Sequence, residues 1–274
     1  MKADVRPRPM SYPAWGLTSL MRSLGRALPL IIVFLLWEVL VMGNWVDRKF
    51  LPPPHDVMAA LWEISVQGEL LVNLWATLFC ALLGLALATV VGVVLGASMA
   101  TRWWINGFFG PLVAATYSLP KSALIPLFIL WFGIGDVTNT LVVFLGCLLP
   151  VLVSTYHGIA SVPKAMIWSA QGMETSSGKI LRRILLPAAM APILNGIRIA
   201  LGYCFVLVLS AEMIATKNGM GKLIFLYGEG GLYSYMLGGI MAVVLVAFVC
   251  DRAFIRMTTR LLHWDDTYAS GAAK

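Results

Sequence analysis

Apolar residues fall in long blocks along this chain, and the polar stretches between them are mostly short. The blocks occupy 28–46, 70–100, 105–132, 138–160, 193–213 and 233–254. A helix needs about 20 apolar residues to cross roughly 30 Å of hydrocarbon, so the pattern predicts six spans. The second and third exceed that length, which calls for tilt or for ends that project from the bilayer. One polar segment, 168–187, is longer than a connector requires. Met166, Ala170 and Met173 share one helical face there, and Ile180, Leu181, Ile184 and Leu185 share another. Thr175-Ser176-Ser177-Gly178 separates them with helix-start chemistry. The expectation is two short helices and a sharp turn, with Glu174 and Lys179 at the tip and Arg182 and Arg183 one turn later. Such a hairpin suits either a docked protein or lipid headgroups.

Composition places the blocks in one all-α membrane domain with no separate soluble domain. The chain is 59% hydrophobic and 12% charged, against about 25% charged in soluble proteins. The expected layout is an N-terminal arm at 1–27, a transmembrane domain at 28–256 containing a loop at 164–187, and a tail at 257–274. The arm is basic and lacks a small-residue cleavage site before its apolar run, so the first span reads as a retained anchor.

Basic residues set the orientation, because Lys and Arg stay on the cytoplasmic side. With both termini inside, Lys2, Arg6, Arg8, Arg22, Arg26, Arg102, Lys164, Lys179, Arg182, Arg183, Arg252, Arg256, Arg260 and Lys274 are cytoplasmic, fourteen of the twenty. Only Arg48, Lys49, Lys217 and Lys222 fall outside, while Lys121 and Arg198 lie within spans. The net charge of +7 is thereby explained by topology, with no nucleic acid required.

Catalytic chemistry is missing from the pattern. Cys80, Cys147, Cys204 and Cys250 each fall inside a span without CxxC spacing, and read as packing residues. His55, His157 and His263 are scattered, without ligand spacing. Gly219-Met220-Gly221-Lys222 lacks the spacing of a phosphate loop. Gly84, Ala88, Gly92 and Gly96 form a stripe that lets another helix approach closely, within the subunit or across a dimer seam.

The third span carries the candidate pathway. Pro120 and Pro126 interrupt it, and broken helices at membrane depth are tolerated where protein or a water-filled cavity surrounds them. Lys121 stands at the first break, either as a cation near an anionic solute or as a structurally paired amine. Glu38, Arg198 and Glu212 are candidate structural charges. Glu38 is mid-span and awaits a partner helix, Arg198 is two turns into its span with headgroups in reach, and Glu212 is at an outer end close to water. After the rigid run 51–56, a surface helix at 57–66 would turn Val57, Met58, Leu61, Trp62 and Ser65 to one side.

Residues 168–187 resemble the EAA loop of ABC-importer permeases, whose pattern is Glu-Ala-Ala, three residues, Gly, nine residues, Ile, one residue, Leu-Pro. Registered on Leu186 and Pro187, the pattern places Ile on Ile184 and its last Ala on Ala170, both matches. Trp168 and Ser169 depart from Glu and Ala, and Glu174 stands at the Gly position, with Gly172 and Gly178 nearby but out of register. Further segments resemble the nitrate/sulfonate/taurine-type permeases: Phe50-Leu51-Pro52-Pro53-Pro54, Leu130-Trp131-Phe132-Gly133-Ile134-Gly135, Gly196-Ile197-Arg198-Ile199-Ala200-Leu201-Gly202, Ala211-Glu212-Met213 and Gly219-Met220-Gly221. The resemblance implies a type I permease core in a bacterial inner membrane, paired with a second, usually identical copy. It also implies a cytoplasmic ATPase dimer that holds ATP-Mg and an external binding protein, periplasmic or lipid-anchored. This chain would then be no enzyme and would hold no cofactor. The alternative is a six-helix secondary transporter or channel, which needs intramembrane carboxylates; Glu38 is the clear mid-span candidate.

Overall fold

The computed structural model describes residues 17–262. Lys2, Arg6, Arg8 and Lys274 of the orientation argument, and His263, lie outside the described residues. The described chain is helical throughout, without a strand, and divides into two units, Met1–Met58 and Ala59–Lys274.

In the first unit α1 runs Leu17–Met42, so the helix starts inside the expected arm and stops short of 46. Asn44 ends it at φ 54°, with Trp45 N–H donating to Leu40 O and Asn44 N–H to Val41 O. This is a Schellman closure, and Asn tolerates its left-handed position. Helix α2, Pro54–Val66, opens on a proline whose missing N–H costs nothing there. Its buried residues are Val57, Ala60 and Ile64, whereas Met58 and Trp62 are exposed. Of the residues expected on one side, Leu61 and Ser65 are half-buried.

The second unit continues with α3 (Glu69–Thr101), α4 (Trp103–Tyr117), a 3-10 turn (Lys121–Leu124), α5 (Ile125–Phe132) and α6 (Asp136–Ala160). Next comes a hairpin of α7 (Lys164–Gly172) and α8 (Ser177–Ile180), which runs through a π turn (Leu181–Leu185) into α9 (Leu186–Ala188). Then follow α10 (Met190–Ala215), α11 (Met220–Glu229) and α12 (Tyr233–Leu261). Among the described residues α3, α6, α10 and α12 are long and apolar enough to cross a membrane. The block at 105–132, expected to be interrupted, is two helices bent by 96° rather than one continuous helix. The break falls before Pro120, which disfavours α geometry in the residue preceding it.

Helices α3, α6 and α10 form the core, joined through residues such as Ala81, Val143, Val151, Cys204 and Val208. The small-residue stripe explains how tightly two of them pack. A Cβ on Gly84 would lie 2.7 Å from Val143, and one on Gly96 would lie 2.6 Å from the Leu152 carbonyl. The stripe is consumed inside the subunit against α6, where backbone contact replaces the hydrophobic drive that lipid does not supply.

Candidate functional site

The hairpin is built on a second Schellman closure. Thr175 N–H donates to Ala170 O at 3.1 Å and Glu174 N–H to Gln171 O at 2.9 Å. The residue at the turn of that motif must take positive φ, and Glu174 does so at 54°. At the end of α11 the chain makes the same closure with glycine: Leu232 N–H donates to Tyr227 O, and Gly231 has φ 72°. The turn therefore sits on Glu174, in the register of the family glycine, and is not shifted to Gly172 or Gly178. Ser176 begins α8 without a side-chain cap bond.

Packing divides the hairpin in two. Ala170, Ile180 and Leu185 are buried with Ala97, Ile159, Ala189 and Ile193, which seats the hairpin on the adjoining ends of α3, α6 and α10. The face that spacing gives Met166, Ala170 and Met173 is covered only at Ala170. Trp168, Met166 and Met173 are exposed, Met173 by 77%. Ser169, Gly172, Gly178, Arg182, Arg183 and Pro187 are also exposed, and Ile184 and Leu186 are half-buried.

The break between α4 and α5 opens beside a cavity of about 430 Å³ lined by Lys121, Pro120, Tyr117, Ser122, Ser154 and Tyr203 among others. That volume lies within the range of small-molecule sites. Lys121 Nζ donates to Tyr117 O at 2.7 Å, satisfying a carbonyl freed at the end of α4. The same ammonium stands 5.8 Å from the centre of the Tyr117 ring. Pro126 does not line the cavity; it occupies the first turn of α5.

Each of the three candidate structural charges has a partner that spacing alone did not reveal. Glu38 meets another helix as expected, its Oε1 lying 3.1 Å from Nδ1 of His55 at the start of α2. Arg198 donates two bonds to Asp251, from Nε at 2.8 Å and from a terminal nitrogen at 3.2 Å, so it pairs across to α12 instead of reaching for headgroups. Glu212 is 1% exposed, not close to water. Its Oε2 accepts from Thr77 Oγ1 at 2.8 Å and from Gly221 N–H at 2.9 Å. Thr77 in turn accepts from Met220 N–H at 2.9 Å, and Asn73 Oδ1 accepts from Gly219 N–H at 2.8 Å. One buried polar knot thus ties the start of α11 to α3 and α10. Side chains on Gly219 or Gly221 would strike Glu212. Nearby, the Tyr227 hydroxyl donates to Glu69 at 3.0 Å, and burial, with that bond, pushes its pKa up to about 12. The tyrosine therefore stays a donor at any ordinary pH.

Residues 88–261 match the family described as binding-protein-dependent transport system inner membrane component. The chain belongs to that family. Similar to this inner-membrane component is the taurine transport system permease protein TauC of Escherichia coli (strain K12), 30% identical over 240 residues and covering 86% of this chain and 87% of TauC. The putative aliphatic sulfonates transport permease protein SsuC of Bacillus subtilis (strain 168) is 30% identical over 249 residues, covering 89% and 88%. Among solved structures, an inward-facing MetNI methionine ABC transporter chain has a TM-score of 0.62 at 19% identity, covering 72% of this chain and 97% of that one. At that identity the likeness shows the fold.

Within the permease the matched segment contains the hairpin, the Lys121 cavity and most of the Glu212 knot. Relief of the backbone at position 174 is directly measurable. Left-handed geometry costs a non-glycine residue about 1 kcal/mol, and the exposed Glu174 side chain gives up no burial when removed. Glu174→Gly is expected to slow hydrogen exchange of the Glu174 and Thr175 amides about fivefold, while Glu174→Val speeds it. Equal exchange in all three permeases would remove strain as the distinction of this turn.

Proposed function

We propose that this chain is the transmembrane subunit of an ATP-driven importer for a small sulfonate-like anion. The observation that carries the reading is similarity over most of the chain to permeases named for taurine and aliphatic sulfonates. The cavity at the helix break, with the Lys121 ammonium in its lining, supports an anionic solute. The family assignment displaces the secondary-transporter or channel alternative.

In this proposal six spans cross the bacterial inner membrane with both termini cytoplasmic, and two copies enclose the path. An external binding protein delivers solute to the face that carries α2 and α11. A separate ATPase dimer binds ATP-Mg, and its closure presses on the 164–187 hairpin. The Trp168, Met166 and Met173 side chains offer that partner an apolar surface, flanked by Arg182 and Arg183. Because the inner ends of α3, α6 and α10 hold the hairpin, its displacement reorients the bundle and alternates access to Lys121. Such coupling requires contacts that differ between the two states.

The test is reconstitution in proteoliposomes with the ATPase and binding protein encoded beside this chain. ATP-dependent accumulation of radiolabelled taurine or an alkanesulfonate is expected. Accumulation without any ATPase would overturn the reading, as would a binding protein that captures no sulfonate.

A further inference from the structure

The Arg198–Asp251 pair joins α10 to α12 within the apolar blocks at 193–213 and 233–254. Asp251 lies three residues before the end of its block, toward the cytoplasmic basic residues Arg252, Arg256 and Arg260. Charges within spans occur where they face a bundle interior or a water-filled path. The pair is not sealed inside the subunit, because the Arg198 side chain is 50% exposed and that of Asp251 32%. It borders a second cavity of about 350 Å³, whose lining includes Asn195, Arg198, Ile199, Gly202 and Asp251.

The two cavities share a wall. Asn195, Arg198, Ile199, Gly202, Tyr203 and Val206 recur at three- and four-residue spacing and are all exposed, so they form one open stripe along α10. Ile199 lines both cavities. From Arg198 to Tyr203, which borders the Lys121 cavity, is about 7.5 Å along the helix. The stripe therefore leads from the ammonium at the helix break toward the hairpin end and reaches a guanidinium there.

We propose that Arg198 is a second binding station for the transported anion, and that Asp251 is a resident competitor for it. The carboxylate meets the guanidinium with two oxygens, the geometry in which a guanidinium takes a sulfonate or carboxylate. A guanidinium is always charged, and one left alone beside the path would hold an anion too long. Asp251 lowers the net affinity so that the solute can arrive and leave. Water access keeps the resident pair weak enough to be exchanged. The inference rests on the sulfonate-importer reading above.

The assembled transporter in proteoliposomes, with radiolabelled taurine as probe, tests it. Asp251→Asn is expected to lower the maximal uptake rate about tenfold without raising KM. The purified permease–ATPase complex carrying it should retain taurine after washing. Adding Arg198→Gln to that variant should abolish the retention. Thermal melts of each complex separate these effects from misfolding. If Asp251→Asn retains no more taurine than wild type, the station is refuted, including when the variant merely loses stability or dissociates the two copies. If the wild-type transporter itself moves no sulfonate, the importer reading fails instead.

Discussion

A permease carrying Glu212→Leu is expected to lose much of its stability, whereas Glu212→Gln keeps it. Leucine fills a similar volume but accepts no hydrogen bond. The Gly221 N–H, buried with its residue, and the Thr77 hydroxyl would both lose their acceptor. Each stranded buried group costs about 1–3 kcal/mol, and water cannot enter to replace the carboxylate. Thr77 also receives the Met220 N–H, so the damage extends to the whole first turn of α11. Glutamine retains one carbonyl oxygen able to accept both bonds, and its amide takes the place of Oε1, which has no partner among the described residues. Thermal unfolding of the detergent-solubilised permease should show Glu212→Leu melting at least 10 °C below wild type, since about 1 kcal/mol shifts a domain of this size by several degrees. Glu212→Gln should melt within a few degrees. A leucine variant as stable as wild type would show that the knot is ornamental to the fold.

The second large effect falls on function and spares the fold. Trp168→Asp and Met173→Asp change side chains that are 65% and 77% exposed, so the permease should melt as wild type does. Docking of the ATPase should collapse, because exposed aromatic anchors at an interface commonly carry 2 kcal/mol or more each, about a thirtyfold change in affinity. The readout is co-purification of the ATPase with tagged permease, together with ATP-dependent uptake. Retention of full coupling in the double variant would move the contact away from the α7 face toward Arg182 and Arg183. Rescue by Trp168→Phe but not by Trp168→Glu would separate an apolar socket from the acidic residue that the family pattern places there.

The helical class and most apolar blocks were legible in the sequence because lipid demands long uninterrupted runs, a constraint local to each helix. The hairpin was legible too, since Ile180, Leu181, Ile184 and Leu185 repeat at helical spacing. What periodicity could not show was which side of a short helix is covered. Ala170 proved buried and Met173 bare because the neighbouring helix ends, not the local pattern, decide that. Glu38, Arg198 and Glu212 were visible as unusual charges, but His55, Asp251 and Thr77 lie 17, 53 and 135 residues away from them. A partner at such separation is fixed by tertiary packing alone. Gly219-Met220-Gly221 carried the one sequence signal for the knot, two glycines where close approach to Glu212 leaves no room for a side chain.

The glycine contacts between α3 and α6 also determine how movement spreads. Side-chain layers between helices can shear, since rotamers adjust as the backbones slide. At Gly84 and Gly96 that layer is one-sided: bare α3 backbone lies against Val143 and Thr155 and against the Thr140 and Leu152 carbonyls of α6. The pair consequently has little room to slide at these positions, whereas the apolar block at 105–132 is broken by the 96° elbow between α4 and α5. Close packing and a break are thus found on different helices, and the Lys121 cavity lies beside the break.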